Sequence, residues 1–385
     1  MRWSTPLPTS PRPTSRQRPR RRGAHEGAAP ARPPHRPERT AFAQQVVAWQ
    51  RQHGRHDLPW QGTRDPYRVW LSEIMLQQTQ VRTVRAYYAR FLTRFPDVQA
   101  LAAAPLDDVL ALWSGLGYYS RARNLHRCAQ AVRAEHGGAF PRTATQLQSL
   151  PGIGASTAAA IAAFCFGERV AIFDGNVRRV LARYLGFDAD LSQARHQRAL
   201  QQQAQALLPD GAHAAHDMPA YTQGLMDLGA TLCTPRAPDC ARCPLRADCV
   251  ARREGRPEAY PVRTRRLQRG AQALWLLWLE DAEGAVWLER RPVPGVWAGL
   301  HCFALFDDEA ALHGALAQIG GVRGVQALEP RVHALTHDLR LHPFRARLEA
   351  RRPPLPLPGG WVAADSIQTI GMPAPIRDLL LQKQV

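Results

Sequence analysis

The chain has 385 residues, 45% hydrophobic and 21% charged, with 50 Lys and Arg against 32 Asp and Glu. That length supports one or two domains with cores of their own, and a formal charge of +18 with an isoelectric point near 10.7 favours a polyanionic partner such as nucleic acid. No apolar run reaches the roughly 18 residues needed to span a bilayer and no signal-peptide core opens the chain, so a soluble, cytoplasmic and nucleoid-associated protein is expected.

Residues 1–40 carry ten Arg against Glu26 and Glu38, which is +8 of the total, together with nine Pro. Such a tail is expected to be disordered. It reads as a non-specific nucleic-acid tether, a transit peptide or a dispensable extension. Phe42, Val46, Val47 and Trp49 have helical spacing and begin the folded part. His56 to Trp60 reads as a loop, and Asp65-Pro66 opens a helix expected over Tyr67 to Phe91. Trp70, Ile74, Val81, Val84 and Tyr88 form its apolar stripe. Glu73 lies beside that stripe, where the charged form of a carboxylate is disfavoured and its pKa rises. That is the condition for a general acid near neutral pH. Gln77 and Gln78 follow one turn later.

Residues 113–124 read Trp-Ser-Gly-Leu-Gly-Tyr-Tyr-Ser-Arg-Ala-Arg-Asn. Two glycines break the helical pattern, and aromatics alternate with Arg121 and Arg123, a chemistry suited to wedging bases and holding phosphates. In the segment from Leu147 to Val180, Pro151-Gly152-Ile153-Gly154 is a turn whose glycines permit positive φ. Ser156 to Phe166 is an alanine-rich, buried helix. Two helices joined this way present free N–H groups at a helix N-terminus, a phosphate cradle that needs no side chain. Asp174 follows in a second break, ahead of a helix bearing Arg178 and Arg179. Glu73 and Asp174 are then a carboxylate pair in different environments, an arrangement that divides acid and anion roles.

Pro219 to Ala230 reads as a helix leading into Cys233, Cys240, Cys243 and Cys249, spaced C-x6-C-x2-C-x5-C. Disulfides do not suit a soluble intracellular chain, whereas four thiolates fit zinc or an iron–sulfur cluster. Cys128 and Cys165 fall on apolar helix positions and read as core. Residues 252–269, with seven Arg, two Pro and two Glu, read as a basic linker. Alternation then marks strands at 273–279, 286–288 and 339–348, with a helix over Glu309 to Ile319, which makes an α+β second domain.

These motifs resemble the helix-hairpin-helix DNA glycosylase superfamily, and within it the adenine-specific branch, strongly as far as about Cys249 and more weakly beyond. The resemblance implies a multidomain chain: a basic tail (1–40), an all-α two-lobed glycosylase domain (41–251) with a [4Fe–4S] loop, a linker (252–269) and an α+β Nudix-like domain (270–385) that recognises 8-oxoguanine. It implies a monomeric, monofunctional base-excision repair enzyme that hydrolyses the N-glycosidic bond of adenine mispaired with 8-oxoguanine or G in duplex DNA.

Residue by residue, the resemblance makes Glu73 the acid and Asp174 the stabilising anion, with Asn176 orienting that carboxylate and the water. Trp60 and Gln61 line the base pocket, Gln77 and Gln78 lie at the minor-groove face, and Tyr118 wedges beside the opposite base. Arg121, Gly152, Gly154 and Gln223 are expected to contact DNA, and the four cysteines to hold the [4Fe–4S] cluster. Thr336 and His337 stand where the family has its Phe-Ser-His reader. Leu335 replaces the Phe and Thr336 the Ser, so the hydroxyl is kept and the aromatic lost. The Nudix hydrolase signature is missing, so no pyrophosphatase is expected. Ser156 stands where endonuclease III-like lyases have a lysine; it has no amine to attack the sugar. Two other readings remain: an endonuclease III-like enzyme for oxidised pyrimidines, and a non-catalytic basic DNA-binding protein.

Overall fold

The computed structural model describes residues 39–264, 270–334 and 338–381. Its first helices are α1 (Arg39–His53), α2 (Pro66–Leu76), α3 (Val81–Arg94), α4 (Val98–Ala103), α5 (Leu106–Trp113), α6 (Ser120–His136), α7 (Ala144–Leu147) and α8 (Ala155–Phe166). They continue with α9 (Gly175–Leu185), α10 (Ala194–Ala206), α11 (Ala214–Thr231) and α12 (Val250–Arg253). Apolar side chains on these helices sort into two cores. One gathers Trp70, Leu71, Met75, Phe91, Trp113 and Leu125 from α2 to α6. The other gathers Phe42 and Val46 of α1 with Val177, Leu181, Tyr221 and Leu228 of α9 and α11. Helix α8 belongs to both: Ala158, Ile161 and Ala162 face the first core, Ala160 and Ala163 the second. The domain is therefore all-α in two lobes, with α8 as their common wall.

The helix expected over 67–91 is instead two. Gln78 has φ +57 and Gln80 is extended, so α2 ends at Leu76 and α3 restarts at Val81. The break would leave the last carbonyls of α2 without partners. Arg121, only 8% exposed, supplies them. Its Nη1 donates to Ile74 O (2.8 Å) and Met75 O (2.9 Å), and its Nη2 to Leu116 O (3.0 Å) and Thr79 Oγ1 (3.1 Å). This corrects the expectation that Arg121 contacts DNA. The guanidinium is buried and committed to five protein acceptors, Gly117 O (3.2 Å) being the fifth, and desolvation lowers its pKa to about 10.

The residues read as a linker are fastened down as far as Thr264. Leu191 N donates to Val262 O (2.9 Å), and Thr264 Oγ1 to Asp190 Oδ2 (2.6 Å). Residues 265–269 lie outside the described set. The chain then forms a mixed sheet of eight strands: β1 (Ala271–Glu280), β2 (Val286–Arg290), β3 (His301–Cys302), β4 (Ala304–Phe306), β5 (Val322–Ala327), β6 (Arg331–Ala334), β7 (Asp338–Leu348) and β8 (Gly360–Val362). Central β1 and β7 run parallel, with Trp275 opposite His342; the other described pairings are antiparallel.

The two-residue period of β1 feeds both sides of the sheet. Leu277 and Leu279 pack with Leu312 and Leu316 of α13 (Glu309–Ala317). Leu274, Leu276 and Trp278 join the core that continues through Leu300, Met372 and Ile376 of α14 (Ala374–Leu381) into the first helical lobe. Ser114 Oγ and Tyr119 Oη both donate to Met372 O at 2.9 Å, and Arg290 pairs with Asp107 at 2.9 Å. The sheet is thus joined to the helical part through shared core and is not a body on a free tether.

Replacing Arg121 by Met keeps the stem and removes the donors. Each buried acceptor left unpaired costs roughly 1–3 kcal/mol. Arg121→Met should therefore lose at least about 3 kcal/mol in urea unfolding; a loss below about 1 kcal/mol would show that the Gln77–Gln80 break holds without it.

Candidate active site

A pocket of about 390 Å³ opens between the lobes. Val69, Ser72, Glu73 and Leu76 reach it from α2, Pro219, Gln223 and Met226 from α11, and Trp60 and Gln61 from the preceding loop. Asp65 fixes where α2 begins: its Oδ1 accepts from Tyr67 N at 2.9 Å, and Pro66 occupies the first turn. Trp60 is buried edge-on against Tyr88, with ring centroids 5.5 Å apart. It forms a rigid pocket wall.

Glu73 is half-buried and lines this pocket. Desolvation, reinforced by the charge of Asp174, raises its pKa to about 8. Asp174 caps α9, with Oδ1 accepting from Val177 N at 2.7 Å. Its burial also pushes its pKa upward. The N–H groups of Val177 and Asn176 and the cations Arg178 and Arg179 pull the other way. The two groups are coupled, and their surroundings divide them. No hydrogen-bond donor or cation offsets the rise at Glu73, whereas Asp174 sits on a helix N-terminus beside Arg178 and Arg179, which favour its anion.

Asn176 is placed differently from expectation. Its side-chain Oδ1 accepts from Arg179 Nη2 (2.7 Å), so it is the Asn176 main-chain N–H that serves Asp174. Arg179 also donates to Cys233 O and Gly229 O, both at 2.7 Å. Gly229 has to be glycine here, because a Cβ would stand 2.5 Å from Asn176 Cβ. That close approach brings α11 to α9.

The hairpin turn takes its positive φ at Gly152 (+77) alone, where a Cβ would meet Asn124 Cβ at 2.5 Å. Gly154 caps α8 at an ordinary φ of −83, and a Cβ there would meet open space. Ser156 is half-buried in the first turn of α8. Gln77 Nε2 donates to Thr157 Oγ1 (3.3 Å), tying the end of α2 to the hairpin, while Gln78 is exposed.

Tyr118, at φ +48 and 41% exposed, lies on a second cleft of about 590 Å³. Trp297, His333 and Ala334 line its other side, and the Trp297 and His333 rings are 6.1 Å apart. Thr336 and His337 lie outside the described residues.

Two features escaped the sequence reading. Trp297 on the second cleft is one. The other is Asp227, wholly buried behind the first pocket; Arg55 Nε donates to it at 2.7 Å and Gln223 Nε2 at 2.8 Å. Its only sequence signal is a lone acid in an otherwise apolar stretch of α11.

Cys233, Cys240, Cys243 and Cys249 are free thiols lining one small apolar cavity beside α9. No three metal-binding side chains stand at ligating separation among the described residues. Burial raises the Cys243 thiol to about 12 and pushes Cys240 and Cys249 upward too. Arg183 Nη1 donates to Cys233 Sγ (3.3 Å), while its Nε donates to Pro257 O (2.7 Å). A four-sulfur donor set converging on one cavity, with a guanidinium against it, fits a thiolate-ligated cluster.

Residues 71–210 match the family model described as HhH-GPD superfamily base excision DNA repair protein, and residues 275–382 match that of a NUDIX domain. The Adenine DNA glycosylase of Buchnera aphidicola subsp. Acyrthosiphon pisum (strain APS) is 33% identical over 348 residues, covering 88% of this chain and 96% of that protein. The Adenine DNA glycosylase of Homo sapiens is 45% identical over 224 residues, which is 56% of this chain and 40% of that protein. Among solved structures, that of a thermostable thymine-DNA glycosylase is similar over 56% of this chain and 97% of that one, at 30% identity and a TM-score of 0.50.

The raised pKa of Glu73 has a signed consequence for stability. An acid whose folded pKa lies above its unfolded value of 4.5 holds its proton more tightly when folded. Its burial then costs nothing below that value and costs more as pH climbs through about 8. The melting temperature of Glu73→Gln relative to the parent should rise between about pH 5 and pH 9; a pH-independent difference would show that Glu73 titrates normally.

Proposed function

The chain belongs to the adenine DNA glycosylases of base excision repair, and on that premise we propose that it hydrolyses the N-glycosidic bond of adenine paired with 8-oxoguanine or G and leaves the strand intact. The observation that carries this is Glu73, its pKa raised by burial and by the charge of Asp174, opening into the pocket between the lobes. A base stacked in a duplex cannot reach such a pocket, so adenine is flipped out of the helix. Protonated Glu73 donates to the departing base, which needs no negative charge as it leaves. The sugar becomes oxocarbenium-like, and the carboxylate of Asp174 stabilises that cation until water attacks. Gly152 and Gly154 leave the N-terminus of α8 bare for a phosphate.

The opposite base is proposed to be recognised at the second cleft, between Tyr118 and the Trp297–His333 wall. Thr336 and His337 follow that wall directly in sequence and are assigned to it as hydrogen-bonding readers. The four cysteines are proposed to hold a [4Fe–4S] cluster. Bound there, the cluster would cross-link the loop and provide a one-electron centre. Arg179 and Arg183 link that loop to α9, whose first turn carries Asp174.

The chemistry at two positions supports the absence of strand cleavage. Ser156 has no amine with which to form an imine, and the guanidinium of Arg178 does not deprotonate to act as a nucleophile.

Three measurements test this reading. Glu73→Gln should bind A:8-oxoguanine duplex within about threefold of the parent and cleave it 10²–10⁴-fold more slowly in single turnover, a span typical of general acid catalysis; near-normal cleavage would show that another group is the acid. The unaltered protein should leave abasic strands that break only on alkali treatment and should give little borohydride-trapped complex, and Ser156→Lys should introduce trapping; efficient nicking without alkali would overturn the monofunctional assignment. The purified protein should be brown and carry iron on the order of four atoms per chain; a colourless, zinc-loaded and fully active sample would overturn the cluster.

A further inference from the structure

Arg121 holds two elements at once. The first is the end of α2. Nη1 donates to Ile74 O (2.8 Å) and Met75 O (2.9 Å), the carbonyls of the two residues that follow Glu73, and Nη2 to Thr79 Oγ1 (3.1 Å) in the break beyond. The second is the loop that presents Tyr118. Nη2 donates also to Leu116 O (3.0 Å) and Gly117 O (3.2 Å), the carbonyls of the two residues that precede it. The same guanidinium lies over the Tyr118 ring, 5.6 Å from its centroid.

The loop needs such a restraint. Gly115 has φ +100, Gly117 +69 and Tyr118 +48. Glycine adopts such values freely, whereas a tyrosine there is strained and stays so only where its surroundings over-determine it. The Tyr118 ring is 41% exposed, so its own packing does not supply the restraint. The bonds on the backbone before it do: those from Arg121, and that from Tyr87 Oη to Ser114 O at 2.6 Å. Arginine suits the bridge because its donors are fixed in one plane, so a bond at one prong sets the direction of the other. Arg121 Nε is buried and has no partner among the described residues. The two prongs therefore set where the group stands.

We propose that Arg121 is a positioning residue that holds the Tyr118 loop and the Glu73 end of α2 as one unit, so that seating Tyr118 beside the opposite base also sets the acid at the base to be removed. The inference rests on the reading above, in which Tyr118 meets the opposite base and Glu73 is the acid. A duplex on which Tyr118 seats badly would then also misplace the acid, and a displacement of about 1 Å costs on the order of 10²-fold in rate. Discrimination by the opposite base would thus be expressed in the chemical step as well as in binding.

The test measures single-turnover excision at saturating full-length protein from duplexes with adenine opposite 8-oxoguanine or opposite G. Arg121→Lys keeps a stem and the charge, but an ammonium is a point donor and cannot fork across both elements. The rate opposite 8-oxoguanine should fall by at least about tenfold and the rate opposite G by less, bringing their ratio to that of Tyr118→Ala. Adding Tyr118→Ala to Arg121→Lys should then change either rate by less than about twofold, the non-additivity of residues that act as one unit. Equal slowing on both duplexes, with additive effects of the two substitutions, would reduce Arg121 to a structural role and overturn the bridge. Should Arg121→Lys fail to fold, Thr79→Val serves instead, since it removes one acceptor and leaves the rest. It should lower the ratio by at least about twofold, and an unchanged ratio would overturn the proposal. Failure of the underlying reading looks different: Tyr118→Ala alone would leave the ratio of the parent intact, or the parent would excise adenine from neither duplex.

Discussion

Helix α8 is buried on nearly every side, and its alanines are what allow it to be. Ala158, Ile161 and Ala162 pack into one lobe, Ala160 and Ala163 into the other. A helix clad in small side chains lets two layers approach its backbone closely, and close-packed interiors tolerate little added volume. The separation of the lobes, and with it the width of the base pocket, follows from that packing. The same helix is capped by Gly154, where an added Cβ would meet open space, so its first N–H groups are left uncovered by side chains. One element thus sets the spacing of the lobes and carries the proposed phosphate anchor.

On either side of α8 stand the two carboxylates. Glu73 comes from α2 in the first lobe and Asp174 from the start of α9 in the second. Neither charge state follows from the residue type. Glu73 is neutral because apolar and negative neighbours surround it. At Asp174 two N–H groups and two arginines favour the anion, against the burial that raises its pKa. A small displacement between the lobes would alter the pKa of Glu73, since Asp174 contributes to the field there. This explains the reinforcement behind α9: Arg179 and Arg183 tie the helix to the cysteine loop, and Gly229 lets α11 lie directly against it.

The sheet extends the same core instead of adding a separate one. Ser114 and Tyr119, which flank the Tyr118 loop, both donate to Met372, and Arg123 Nη1 donates to Ala298 O at 2.5 Å. The loop is thus gripped from the helical side by Arg121 and from the sheet side by these bonds. If Tyr118 wedges into the duplex as proposed, it needs such backing, because unstacking a base step costs a few kcal/mol.

Much of this was legible in the sequence. Helical period marked α1 and α11, a period of two marked β1 and β7, the Pro-Gly-x-Gly turn marked the hairpin, and a glutamate beside an apolar stripe announced its raised pKa. Those are properties of neighbours along the chain, and local spacing encodes them. The break at Gln78, the burial of Arg121, the pairing of Asn176 with Arg179, the fastening of Thr264 to Asp190 and the setting of Asp227 behind Gln223 were not legible. Each joins residues between 3 and 172 positions apart through a hydrogen bond or a close approach. Whether an arginine meets a phosphate or the end of a helix depends on which carbonyls stand unpaired around it. That is decided only when the lobes close on α8, because a buried polar group takes whatever partner the packing brings within reach.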